Sequence, residues 1–142
     1  MQVYTPKMVP VLTKLAREFA VFDHWYCAVP SQTWCNRAFW HAAASGGKVQ
    51  NPTNACTKLE DVKAMAEWVE DVWSQPNIFQ RMKDSCIKHR VYTQELVSLT
   101  SIVTGFFKGE DAVIMDRELS TFKRHLRDKK LPQYSFLEPK FL

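Results

Sequence analysis

The sequence predicts an α/β fold built on a parallel sheet, and three observations lead there. Segments with apolar residues at helical spacing alternate along the chain with shorter segments rich in β-branched and aromatic residues. That alternation favours parallel strands joined by helical crossovers. The 142 residues suffice for one domain. With 46% apolar and 13% aromatic residues, a packed core is within reach. No internal repeat or low-complexity tract divides the chain, so residues 1–142 are read as a single unit.

Met8, Val11, Leu12, Leu15 and Phe19 recur at helical spacing and predict a helix to about Ala20, with Pro10 tolerated near its first turn. Val21 to Val29 reads as a strand carried by Val21, Phe22, Trp25, Tyr26 and Val29, and Pro30 stops it. A short helix from about Cys35 to Ala44 ends at Gly46-Gly47. Lys48 to Cys56 is a loop. Thr57-Lys-Leu-Glu60 matches a capping box, and the helix behind it aligns Leu59, Val62, Ala66, Val69 and Val72 or Trp73. Ser74-Gln-Pro-Asn77 breaks that helix. Ile78 to Ile87 follows as another, leading into a strand over His89 to Thr93. Val97 to Phe107 fits either helix or strand. Ser120 is placed to cap a last helix to Lys129, Leu131-Pro132 ends it, and Tyr134 to Leu137 is a final short strand.

The formal charge of +4 fits an anionic ligand and an ordinary soluble surface equally. Cys27, Cys35, Cys56 and Cys86 are scattered without a C-x-x-C pair, which argues against a structural zinc site and favours unpaired thiols. No run approaches the roughly 20 apolar residues of a membrane span. The opening Met-Gln-Val-Tyr-Thr-Pro-Lys lacks the basic and apolar regions of a signal peptide.

The chemistry concentrates at Val29-Pro-Ser-Gln-Thr-Trp-Cys-Asn-Arg37, between the predicted end of a strand and the start of a helix. Ligands of open α/β sheets bind in that crevice, and free N–H groups at a helix start favour phosphate. Thr33 either caps the helix or offers a hydroxyl that attacks phosphorus once its proton is drawn off, for which a metal ion is the usual agent. Asn36 would hydrogen-bond a phosphoryl oxygen and Arg37 would add charge. Trp34 is placed to line a substrate cleft. His24 is a candidate substrate contact or a hydrogen-bonded partner within its strand. His41, His89 and His125 read as structural. The basic run Lys123 to Lys130 reads as a solvated helix face, with no nucleic-acid partner expected.

The run Phe19-Ala-Val-Phe-Asp-His-Trp-Tyr-Cys-Ala-Val-Pro-Ser-Gln-Thr-Trp-Cys-Asn-Arg-Ala-Phe-Trp-His-Ala resembles the nucleophile segment of the bacterial phosphoesterase family of phospholipases C and acid phosphatases. Ile78-Phe-Gln-Arg-Met, His89-Arg-Val-Tyr92 and Leu131-Pro-Gln-Tyr-Ser-Phe-Leu-Glu-Pro139 resemble later blocks of that family in the same order. The resemblance implies an alkaline-phosphatase-like sheet flanked by helices. It implies that Thr33 is both nucleophile and ligand to a divalent metal, with Asn36 and Arg37 in support, acting on phospholipids or other phosphate esters.

Export is usual in that family, but the chain carries no signal peptide, so its location is left open. Cys35 stands where the family has Pro, and the stretch Thr100 to Leu119 departs from its pattern. The family's metal-holding acidic-Asn pair and aspartate pair have no counterpart here, since Asp23, Asp111 and Glu138 do not match those positions. The chain is therefore expected to be the central part of such a domain, completed by segments elsewhere or in another chain. Alone it should hydrolyse phosphate esters weakly or not at all. The alternative is a shortened, non-catalytic binding or interaction module.

Overall fold

The computed structural model describes residues 3–52, 59–105 and 113–140. Among the described residues six helices and three strands follow one another as α1 (Pro10–Glu18), α2 (Thr33–Ala42), α3 (Leu59–Trp73), α4 (Ile78–Asp84), β1 (His89–Thr93), α5 (Leu99–Thr104), β2 (Val113–Met115), α6 (Ser120–Arg127) and β3 (Tyr134–Glu138). The strands form one parallel sheet in the order β2-β1-β3, flanked by helices, as the sequence predicts. Val91 lies opposite both Val113 and Phe136, and Thr93 opposite Met115 and Glu138, so the three strand ends share one edge.

Two apolar clusters hold the body together. Cys35 and Ala38 of α2 pack with Trp68 and Val72 of α3 and Val103 of α5. Phe79 and Met82 of α4 cover Val91 of β1, with Tyr134 and Phe136 of β3 beside them. The stripe read from α3 is largely displaced: of its residues only Val72 is buried and Val69 half-buried, Leu59 is 71% exposed, and the inward face runs through Trp68, which the stripe did not include.

Local chemistry sets the ends of the elements. Pro10 is the first residue of α1, where its missing N–H costs nothing. Asn77 and Ser98 cap α4 and α5 by accepting from Gln80 and Ser101 N–H. The helix α2 stops before Gly46-Gly47, at Ala43 in the left-handed region. Gly46 is required for another reason. Its φ is +60°, and a Cβ there would meet the Asp71 carbonyl oxygen of α3 at 2.6 Å.

Several expectations are corrected. Val21 to Val29 is not a strand: among the described residues it has no ladder partner, and residues 21–28 are all exposed. Aromatic and β-branched content favours a strand only where a neighbour supplies hydrogen bonds. Within Val97 to Phe107 the helix reading holds for Leu99–Thr104, and the remainder reaches beyond the described residues. The strand β2 has no counterpart in the sequence reading. Ser120 begins α6 but does not cap it. The Asp116 carboxylate does so, accepting from the Ser120 hydroxyl at 3.1 Å and from Thr121 N–H. The Thr57 capping box lies outside the described residues. Cys27, Cys35 and Cys86 are free thiols, as read.

Candidate active site

Thr33 is the first residue of α2 and is exposed. Gln32 is the N-cap and makes no side-chain cap bond, so neither residue caps the helix in the usual way. The cap comes from elsewhere. Asn51 Oδ1 accepts the Trp34 N–H at 2.9 Å, and the Asn51 N–H donates to Gln32 Oε1 at 3.0 Å. One loop residue thus binds both chain neighbours of Thr33. Its loop is itself tied down: Ser31 Oγ donates to Val49 O, Trp68 Nε1 to Gln50 O at 2.9 Å and Ser45 Oγ to Lys48 O at 2.6 Å. Between loop and turn lies an open cleft of about 690 Å³, lined by Pro30, Ser31, Gln32, Val49, Gln50, Asn51 and Pro52.

Asn36 lies on the inner side of the same turn. Its Oδ1 accepts from Val29 N–H at 3.2 Å, and its Nδ2 donates toward the carbonyls of Val29, Ser31 and Gln32 at 3.0, 3.2 and 3.1 Å. In this geometry the amide is occupied in folding residues 29–32 over the helix start.

Arg37 is likewise turned inward. It donates to Glu138 Oε1 and, at 3.0 Å, to the Thr100 hydroxyl. Glu138, at the end of β3 and 1% exposed, also accepts from Ser98 Oγ at 2.6 Å, Thr100 N–H at 3.0 Å and the Thr100 hydroxyl at 3.3 Å. This ion pair places α2 at the edge of the sheet where the strands end, the edge at which α/β proteins bind ligands.

The other candidates are not drawn to Thr33. The Trp34 ring packs edge-on against Trp68, with centroids 5.5 Å apart, and leaves the cleft lining to its neighbours. His24 lies on the exposed segment before the turn, its Nδ1 2.9 Å from Asp23 Oδ1. His41 is structural, as expected: it is 3% exposed, with rings of Phe79 and Phe136 at 5.2 and 4.9 Å. Burial, and secondarily the Arg37 charge, lowers its pKa from 6.5 to about 4, so the ring is neutral. His89 Nδ1 is 2.8 Å from Ile87 O, and His125 Nδ1 is 2.9 Å from the Tyr92 hydroxyl oxygen. Burial pushes the Cys35 thiol up, against a hydrogen bond with Ser31, so Cys35 is not a competing thiolate nucleophile.

A hard divalent cation wants several oxygen ligands with carboxylates among them. The cleft beside Thr33 is lined by no acidic side chain, and among the described residues no three His, Cys, Asp or Glu side chains converge. These residues alone do not fit such a cation. Nor, among the described residues, is any helix long and apolar enough to cross a membrane.

The molecule is thus an α/β protein with a parallel sheet, in which Thr33 stands exposed at the start of a helix tied to the strand ends through Arg37 and Glu138. The chain belongs to the phosphoesterase family, whose model matches residues 1–142. Among the proteins it is similar to are three of Arabidopsis thaliana. It is 30% identical to non-specific phospholipase C3 over 141 residues, 99% of this chain and 24% of that protein. With non-specific phospholipase C1 the identity is 30% over 142 residues, covering 97% and 23%. With non-specific phospholipase C5 it is 39% over 138 residues, covering 97% and 24%. These relatives are plant proteins, where the resemblance in the sequence pointed to bacterial ones. The chain spans about a quarter of their length.

Asn51 is the residue that sequence reading missed. It sits in a loop with no periodicity or motif, and its partners are 17 and 19 residues away. An Asn beside Pro52 is a weak turn signal, and nothing local says which helix it serves.

Proposed function

We propose that this segment supplies the nucleophile of a phosphoesterase acting on phospholipids or related phosphate esters. The observation that carries the reading is Thr33 itself, exposed on a turn fixed from inside by Asn36 and from outside by Asn51. The Thr33 hydroxyl oxygen attacks phosphorus as the bond to the departing alcohol breaks. Water then hydrolyses the phosphothreonine and releases phosphate or a phosphomonoester. The family implies a divalent metal as the agent that ionises such a hydroxyl. The carboxylates to hold one would come from outside the residues described, in keeping with the share of the relatives that the chain spans.

The test is a transplant. Residues 1–142 replace the matching quarter of non-specific phospholipase C3, and turnover of p-nitrophenyl phosphate and phospholipid vesicles is followed with added divalent cations. Turnover is expected in the hybrid, lowered at least about a thousandfold by Thr33→Ala and largely kept by Thr33→Ser. Turnover surviving Thr33→Ala would sink the assignment. The 142-residue chain alone should show turnover at background.

A second reading, a non-catalytic interaction module, is favoured by one observation. Val11, Leu12, Leu15, Phe19, Phe22, Trp25 and Tyr26 are between 49% and 77% exposed. A folded, vesicle-inactive hybrid would support it.

A further inference from the structure

We infer that Asn51 is the positioning residue for Thr33, an inference that rests on the nucleophile reading for its catalytic meaning only. Both polar functions of Asn51 that the structure pairs are directed at the residues flanking Thr33. Its side-chain carbonyl takes the Trp34 N–H at 2.9 Å, one of the four donors that a helix start leaves without intrahelical partners. Its main-chain N–H is fixed at 3.0 Å by the side chain of Gln32, which as N-cap makes no bond to its own helix. One bond caps the helix and the other ties the loop back to the N-cap residue, so the cap comes across the cleft instead of from the same turn.

Ordinary caps hold a helix by its end. Here the residue between the two bonds is the one that would form a covalent bond to phosphorus. A phosphoryl acceptor must be held to a fraction of an ångström for in-line attack. Thr33 is the first helical residue and not the N-cap, and Asn51 supplies the cap bond that Gln32 does not, so no capping bond falls to the Thr33 hydroxyl. The inward face of the turn is held by Asn36, so the two asparagines restrain residues 29–34 from opposite sides.

Amide hydrogen exchange and backbone relaxation on the 142-residue chain test this without any turnover assay. In the wild type the Trp34 amide should be protected, and the order parameter at Thr33 should lie near the rigid-backbone value of about 0.85. Asn51→Ala should speed Trp34 exchange at least about tenfold and lower the Thr33 order parameter to about 0.6, with amides of α6 unchanged. Asn51→Asp keeps the acceptor and should restore both. Gln32→Ala, which removes one bond of the two, should fall between.

Unchanged Trp34 exchange in Asn51→Ala would overturn the inference. So would an equal rise at every amide, which would mark a residue of general stability, or failure of the Asp variant to restore order at Thr33. Loss of the nucleophile reading in the transplant leaves these measurements untouched, so the two failures are told apart.

Discussion

Residues 3–28 and the body that follows carry the same kind of sequence and meet different fates. Both are rich in apolar and aromatic side chains at regular spacing. In the body, Trp68, Val72, Phe79 and Val91 are at most 5% exposed. In α1 no residue is buried, and its neighbours Phe22 and Trp25 are 70% and 71% exposed. A periodic pattern states which face a segment offers; burial follows only where another element presents a matching face. At 9 residues α1 is also shorter than an isolated helix needs for stability in water.

The contrast can be broken at its strongest point first. Glu138→Ala removes the carboxylate on which Arg37, Ser98 and Thr100 converge. Loss of one partner of a buried pair typically costs about 3–5 kcal/mol, so the urea midpoint of the body should collapse. Next comes pH. The pKa of His41 is lowered on folding from 6.5 to about 4, so between those values the unfolded chain takes up a proton that the folded one refuses. Stability is full above pH 6.5, declines as pH falls toward 4 and levels off below. The decline should total about 3 kcal/mol. Urea titrations at pH 7.5 and 4.5 measure it. His41→Phe should flatten that dependence, since both ring nitrogens are buried with no hydrogen-bond partner among the described residues.

A smaller loss is expected from Gly46→Ala. The left-handed backbone and the 2.6 Å approach to Asp71 O should together cost about 1–3 kcal/mol, read in the same titration. Last, Leu12→Ser should shift unfolding by less than about 0.5 kcal/mol, because the side chain is already 65% exposed. A larger loss would mean that α1 has a partner in solution, and would erase the distinction between the two regions.

Much of this was legible in the sequence, for local reasons. His89 to Thr93 stands out because a β-branched and aromatic run is bounded on both sides, and β1 has those same limits. The turn bearing Thr33 was legible because Pro30 breaks the chain just ahead of a helical stripe. Val21 to Val29 was misread because its composition says strand and only a neighbouring strand could make it one. The roles of Asn36 and Arg37 were also hidden. Asn36 looks like a polar residue free for ligand, but its partners are the carbonyls of its own turn. Arg37 finds its carboxylate 101 residues away, a distance over which no motif reports.

That separation also sets a timetable. Every pairing of β1 in this sheet is parallel and long in sequence, the slow kind of contact to assemble. Arg37 leaves the ribosome 101 residues before Glu138 does. At synthesis rates of about 5–20 residues per second, its guanidinium waits roughly 5–20 s for its carboxylate. The turn that presents Thr33 can thus be braced early by Asn36 and Asn51, while the tie that fastens its helix to the sheet waits for a carboxylate made 101 residues later.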